Sequence, residues 1–275
     1  MMKTLALCAD DFGMSRGVSA RIAQLAARGR INATSCLTNA AHWPATAPML
    51  KGLPEDMDVG LHFNLSEGQP LSAELRRVWP QMPPLPQLIA KAHLRLLPLA
   101  AIAAEFDAQH AAFVEAMGRD PAFVDGHQHV HHLPGVRDRV LASIGQWADT
   151  PAVRHCGDVR GPGFAVKRAL IAGTGGRALR RALDRRGIAR NAALLGVYDF
   201  VPGSYRQWMK GWLRAVPHEG ALLFCHPGAA DGEGDAIASA RGPEADYFDS
   251  SEFLDDLAEA GVRIGRAWRA VKPPR

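Results

Sequence analysis

Short apolar runs, each followed by a stretch of helical spacing, constrain this chain more than any other feature. The runs fall at 4–9, 33–37, 57–63, 122–125, 152–155, 221–225 and 262–264. Between them, apolar residues recur every three or four positions at 16–28, with Ser15 placed to cap that helix, at 45–50, 137–147, 206–215 and 251–260. The same spacing covers 88–117, as two helices broken near Pro98, and 166–190, with a break at Gly173-Thr174-Gly175-Gly176. Strand then helix, repeated about seven times, implies a parallel sheet covered by helices. For 275 residues the expected form is a single α/β domain, a (β/α) barrel that is distorted or seven-stranded. A doubly wound open sheet is the alternative, because periodicity alone does not choose between them. The Pro-rich stretch 70–86 reads as a loop or lid.

Composition removes several classes of chain. With 47% hydrophobic and 22% charged residues, a mostly disordered chain is excluded. No apolar run approaches the ~20 residues that a membrane span needs. The first apolar run meets Asp10-Asp11 too soon to be a signal-peptide core, so a cytoplasmic protein is expected. Cys8, Cys36, Cys156 and Cys225 stand alone in the sequence, without metal or disulfide spacing, and read as buried reduced thiols.

Charge is uneven. Residues 151–219 hold thirteen Lys/Arg against four Asp/Glu, while the whole chain carries +4. The excess is densest at 167–190, where it suits either a phosphate-bearing ligand or a solvated helical face. No aromatic residues interleave with it, so nucleic acid is not an expected partner. There is also no phosphate-binding glycine loop and no G-x-S-x-G elbow.

The polar residues fall where strands end. Asp10-Asp11 follow the first run, His62 closes the third, Asp125-Gly126-His127 the fourth, Arg154-His155 the fifth and His226-Pro227-Gly228 the sixth. Parallel α/β folds gather strand carboxyl ends on one face, where sites form. Two adjacent carboxylates repel unless a cation offsets them, and a helix cap needs only one. In an extended segment His127, His129 and His131 would share a side. Imidazoles there, with Asp11 and His62, suit a divalent metal. His127, nearest the strand end, is the expected ligand. His129 would touch substrate or support a ligand, while His131 and His132 read as loop residues. His226 fits a structural stop and a catalytic acid equally well.

Four segments together resemble one family. Ala9-Asp10-Asp11-Phe12-Gly13, Gly60-Leu61-His62-Phe63-Asn64-Leu65, Val124-Asp125-Gly126-His127-Gln128-His129-Val130-His131 and Cys225-His226-Pro227-Gly228 resemble the YdjC-like (ChbG/HpnK) carbohydrate deacetylases, in order, over most of the chain. The resemblance implies one YdjC-like domain over 1–275, related to the polysaccharide deacetylases. Its insertion would lie around 64–118 and its Arg-rich helical segment around 160–215. It implies one divalent metal, Mg²⁺ or Zn²⁺, and removal of acetyl from an acetamido sugar that is free, phosphorylated or lipid-linked. Asp11, His62 and His127 would hold the metal, and Asp10 would be the general base with Arg154 orienting it. His226 would be the general acid, as an imidazolium, giving a bell-shaped pH dependence. His129, Asp125 and Asn64 would meet substrate. Trp79, within the Pro-rich stretch, would either stack on a sugar ring or pack against a helix. A homodimer is a further expectation of the resemblance. Rival readings are a metal-dependent phosphoesterase on the same barrel, which the arginines would suit, and a metal- or sugar-binding protein without activity.

Overall fold

Each expected run folds as a strand, and an eighth strand joins them. The computed structural model describes residues 2–270 apart from 202, 204, 232 and 233. The strands are β1 (Lys3–Phe12), β2 (Ala33–Cys36), β3 (Asp58–Phe63), β4 (Phe123–Gly126), β5 (Ala152–Val153), β6 (Leu194–Leu195), β7 (Ala221–Cys225) and β8 (Val262–Ile264). Their hydrogen-bonded order is β5-β4-β3-β2-β1-β7-β6, with β8 against the start of β1. Every pair of strands is parallel. A doubly wound sheet would reverse this order at a switch point, and no reversal occurs. Isolated bridges from Val153 to Arg190 and from Val159 to Leu194 draw the two free edges together. The result is a distorted (β/α) barrel.

Alternation along β1 explains how the site is aimed. Leu5, Leu7 and Ala9 pack outward against the covering helices, while Ala6 and Cys8 face the lumen among Leu222, Phe224 and Leu194. Continuing that period points Asp10 into the lumen. The ladder to β2 shifts register between Ala9 and Phe12, and Asp11 takes φ 70° there. This bulge turns the second carboxylate away from the first.

The helices follow the sequence closely at Arg16–Ala27, where the Ser15 hydroxyl accepts from the Val18 amide at 3.0 Å. The pair Leu85–His93 and Leu99–Met117 also breaks at Pro98 as expected. The Pro-rich stretch differs from a free lid. It contains the helix Ala73–Val78, and Glu105 accepts from the Leu71 and Ser72 amides at 3.0 and 2.7 Å. Trp79 is buried in the core with Lys91 over its ring, so it takes the helix-packing alternative. A second unexpected helix, Ala238–Asp249, contains Pro243. Among the described residues, no helix is long and apolar enough to cross a membrane.

Candidate functional site

The strand ends deliver their polar groups to one cavity of about 310 Å³. Asp10, Asp11, His62, His127, His129 and His226 all line it. Arg154 lies just beneath, wholly buried, with its two terminal nitrogens 2.7 and 2.6 Å from the Asp10 oxygens. The same guanidinium lies 2.6 Å from Asp125 Oδ2. Burial opposes the charge on Arg154, but Asp10 and Asp125 outweigh it and hold the guanidinium firmly protonated. Asp10 is therefore fixed by a planar fork that fits a carboxylate on both oxygens.

Asp11 faces a different set. Its Oδ1 lies 3.1 Å from His127 Nδ1 and 3.5 Å from His62 Nε2. These atoms fall within 4.8 Å of one another, and all three residues are buried. Burial would raise the Asp11 carboxyl, yet the Arg241 charge and the bonds from His127 and His62 hold it well below the usual carboxylate range. One carboxylate and two imidazoles converging in a buried pocket fit a divalent metal with positions left open. A second triad, Cys8, Asp10 and Asp125, is as tightly grouped. There the Arg154 guanidinium already supplies the cation, so the Asp11 triad is the metal candidate.

Supporting contacts orient both imidazoles. His62 Nδ1 lies 2.6 Å from Asp125 Oδ1, and that oxygen also accepts from the Ser35 hydroxyl. Glu67 Oε1 lies 3.1 Å from His127 Nε2. A carboxylate behind a ligand imidazole fixes its tautomer and its aim. Burial alone would favour neutral rings. The neighbouring acids overcome it, raising His62 to about 9 through Asp125 and Asp10, and His127 to about 10 through Asp11 and Glu67.

Several sequence expectations need correcting. Asp125 does not reach the cavity wall, because Ser35, His62 and Arg154 enclose its fully buried carboxylate. Asn64 likewise turns inward. Its Oδ1 accepts from the Ser66 and Glu67 amides, and its Nδ2 donates to the Glu67 carbonyl, so it shapes the loop that carries Glu67. The histidine run is not extended, since Gln128 and His129 adopt φ 50° and 63° in a tight turn. That turn puts His127 and His129 in the cavity and buries His131 and His132. The last two bond the Arg154 carbonyl and the Thr174 hydroxyl, at 2.7 and 3.0 Å. They are core residues, not open loop.

His226 sits at the cavity with its Nδ1 buried and without a hydrogen-bond partner among the described residues. Burial pushes its pKa down to about 4 in spite of Asp11 and Asp10. The imidazolium expected from the sequence is therefore not the resting form. The arginine-rich stretch also differs from a phosphate grip on this site, because Lys167 is its only cation on the wall. Arg160, Arg180 and Arg190 line a separate cleft with Asp158 and Glu219.

Sequence reasoning missed the helix Ala238–Asp249 and with it two buried charges. Arg241 donates to Asp11 Oδ2 at 2.8 Å and to Asp235 Oδ2 at 2.5 Å, leaving Asp11 Oδ1 to face the imidazoles. Glu244 accepts from the His226 amide at 2.6 Å and from the Tyr198 hydroxyl. Burial raises Glu244 to about 7 against those bonds. The only available signal was a basic and an acidic residue three apart.

Comparison with known proteins shows the family and the fold. A family model described as YdjC-like protein matches residues 4–259. A chitooligosaccharide deacetylase of Klebsiella pneumoniae is 27% identical over 276 residues, covering 96% of this chain and 98% of its own length. One from Proteus mirabilis reaches 37% over 141 residues, covering 48% of this chain and 51% of its own. A crystal structure from Enterococcus faecalis, described provisionally as a cellobiose-phosphate cleavage protein, has a TM-score of 0.75 at 18% identity. It covers 97% of this chain and 98% of that one, and so shares the fold.

Proposed function

The chain belongs to the YdjC-like family, and from that premise we propose that it is a metal-dependent hydrolase removing the N-acetyl group of an acetamido sugar. Relatives that are named chitooligosaccharide deacetylases along their whole length support the reaction class. The observation that carries the reading is Asp10. It is a spare carboxylate, clamped by Arg154 beside a separate three-residue metal candidate. A protein that only binds metal or sugar has no use for that second acid.

Asp11, His62 and His127 would hold the metal. Two imidazoles with one carboxylate suit zinc or a similar ion better than magnesium, which favours oxygen ligands. When bound, the ion supplies a Lewis acid for the acetyl carbonyl and acidifies water. Asp10 accepts the proton of the attacking water, since Arg154 occupies only part of its acceptor capacity. A new C–O bond forms as the carbonyl π bond opens to a tetrahedral centre, and re-formation of the carbonyl then breaks the C–N bond, giving acetate and a free amine. The leaving nitrogen needs a proton, and His226 is the cavity group placed to deliver it. Neutral at rest, its ring takes up a proton from solvent water as negative charge develops on the tetrahedral centre beside it, passes that proton to the leaving nitrogen and returns to the neutral form, while Asp10 gives up its proton to solvent. Arg241 keeps Asp11 ionised, and Glu244 fixes the backbone that carries His226.

The phosphoesterase reading has less support. Arg241 is committed to Asp11 and Asp235, so the wall offers a phosphate little beyond Lys167. Acetate release from acetamido sugars by zinc-loaded protein, with Asp10→Asn as control, tests the proposal. Release that vanishes in the variant while metal stays bound is the expected result. Equal release from both proteins would overturn the role of Asp10, and phosphate release without acetate would overturn the reaction class.

A further inference from the structure

Folding divides the arginine-rich stretch into two sets. Arg181, Arg185 and Arg186 are exposed on the helix Arg177–Arg186, as a solvated face requires. Arg180 and Arg190 are half-buried instead, and with Arg160 and Arg269 they line a cleft of about 450 Å³. No residue lines both this cleft and the cavity that holds Asp10 and Asp11. Arg190 and Ala192 precede β6, and Pro217 and Glu219 precede β7. The cleft therefore opens at the amino ends of these strands, whereas the cavity lies at carboxyl ends.

Its acids do not neutralise its arginines. Asp158 holds Arg160 at 2.8 Å, and Asp184 holds Arg190 at 2.6 Å. Arg180 and Arg269 belong to neither pair and form no other ion pair among the described residues. Exposed Glu219 is the lining acid left to offset them. His155 adds no charge beneath, because burial and the Arg190 and Arg180 charges push it down to about 4.

The same charge sits where the barrel closes. β5 and β6 are two residues each, and isolated bridges pair Val153 with Arg190, Val159 with Leu194 and Arg190 with Arg269. Like charges gathered at such a short seam repel, and in a concave wall they focus a field that draws anions. Guanidinium forks match phosphate oxygens two at a time.

We infer that this cleft binds a small molecule carrying two linked phosphates, as a second ligand distinct from the substrate of the cavity. The two forks without an acid partner, Arg180 and Arg269, each take one phosphate. Arg160 and Arg190 lend the N–H groups that Asp158 and Asp184 leave unused. The volume and concavity suit a small molecule, whereas a membrane or a nucleic acid would meet the exposed face of Arg181, Arg185 and Arg186. Bound across residues 158–160, 190–192 and 269, the ligand clamps the seam.

Pyrophosphate is the probe, compared with inorganic phosphate and with chloride at matched ionic strength. The full chain is first treated with chelator, because a metal at the Asp11 triad would itself take phosphate. Calorimetry is expected to show one pyrophosphate per chain, bound about tenfold or more tightly than phosphate. The urea midpoint rises with pyrophosphate and not with chloride. In Arg180→Gln/Arg269→Gln the affinity falls about 10–100-fold, while the midpoint without ligand stays at or above that of wild type, because repulsion is relieved. Each single variant loses part of the affinity, so the assignment is tested even if the double variant fails to fold. Arg181→Gln/Arg185→Gln changes neither reading. Equal affinity for phosphate and pyrophosphate would overturn the two-phosphate assignment. Pyrophosphate binding undiminished in the Arg180 and Arg269 variants would overturn the cleft. Binding of a single-stranded oligonucleotide or anionic vesicles in preference to pyrophosphate, lost in Arg181→Gln/Arg185→Gln, would make the arginines a macromolecular surface and overturn the inference as well.

Discussion

The two sides of the cavity are built by opposite rules. On the side of β1, β3 and β4, charged groups are almost wholly buried and each is answered by another: Arg154 by Asp10 and Asp125, His62 by Asp125, Asp11 by Arg241. On the side of residues 165–201, the wall is aliphatic and aromatic and reaches solvent. A buried ionic lattice holds its members only in good geometry, because the desolvation of each charge is large. Apolar packing tolerates change more readily. The first side therefore tolerates substitution less than the second.

The widest break in that comparison comes at Asp10. Asp10→Asn keeps the shape of the side chain and removes its basicity, so kcat for acetate release is expected to fall about 10²–10⁴-fold. Zinc stoichiometry stays at one, since Asp10 is not among the triad around Asp11. Turnover within a factor of a few of wild type would mean that the ionic side does not hold the reaction's base. Arg154→Met is next in size. It strands Asp10 as an unpaired buried acid and leaves Asp125 to His62 and Ser35 alone, and urea titration is expected to show a loss of about 3–5 kcal/mol. Arg154→Lys restores little, because one ammonium cannot span both oxygens of Asp10 and also reach Asp125.

The ionic side was the legible side. Strand ends are easy to read, and Asp10, Asp11, His62, His127 and His226 reach the cavity from the positions their runs implied. Hidden features share a physical reason. Leu194–Leu195 is too short a strand to stand out in sequence. Ala238–Asp249 carries Gly242-Pro243, which reads as a break although Pro243 sits inside the helix. Arg241 and Glu244 went unseen with it. The tight turn at Gln128-His129 depends on left-handed backbone that no alternation pattern announces, so His131 and His132 looked exposed. The neutral state of His226 follows from burial, which a single sequence does not display. The apolar wall is assembled from five separate segments, and only the fold brings them together.

A smaller effect sharpens the comparison within the candidate metal triad. Asp125→Asn leaves His62 without its charged partner, and zinc affinity is expected to drop about 10–100-fold. Glu67→Gln acts on His127 from a half-exposed side chain, where solvent screens the pair. Its effect on zinc affinity is expected to be the smaller of the two. Competition against a chromogenic chelator measures both. A larger loss in Glu67→Gln would place the controlling contact on the loop and not in the strands.

The last effect is a pH dependence in the metal-free protein. Neighbouring acids raise His62 to about 9 and His127 to about 10, from an ordinary 6.5, despite burial. Both folded-state values lie above the unfolded one, so between them the folded chain binds more protons. Stability from these two rings is complete below pH 6.5 and is lost as pH climbs through about 9 and then 10. Bound zinc needs both rings neutral, so binding near neutral pH releases protons and abolishes this dependence. The urea midpoint of chelator-treated protein, measured against that of His62→Gln/His127→Gln to cancel other titrating groups, should fall between about pH 6 and about pH 10. A difference that stays flat in the metal-free protein would mean that the rings are already neutral, and that the acids around them orient the imidazoles without holding their protons.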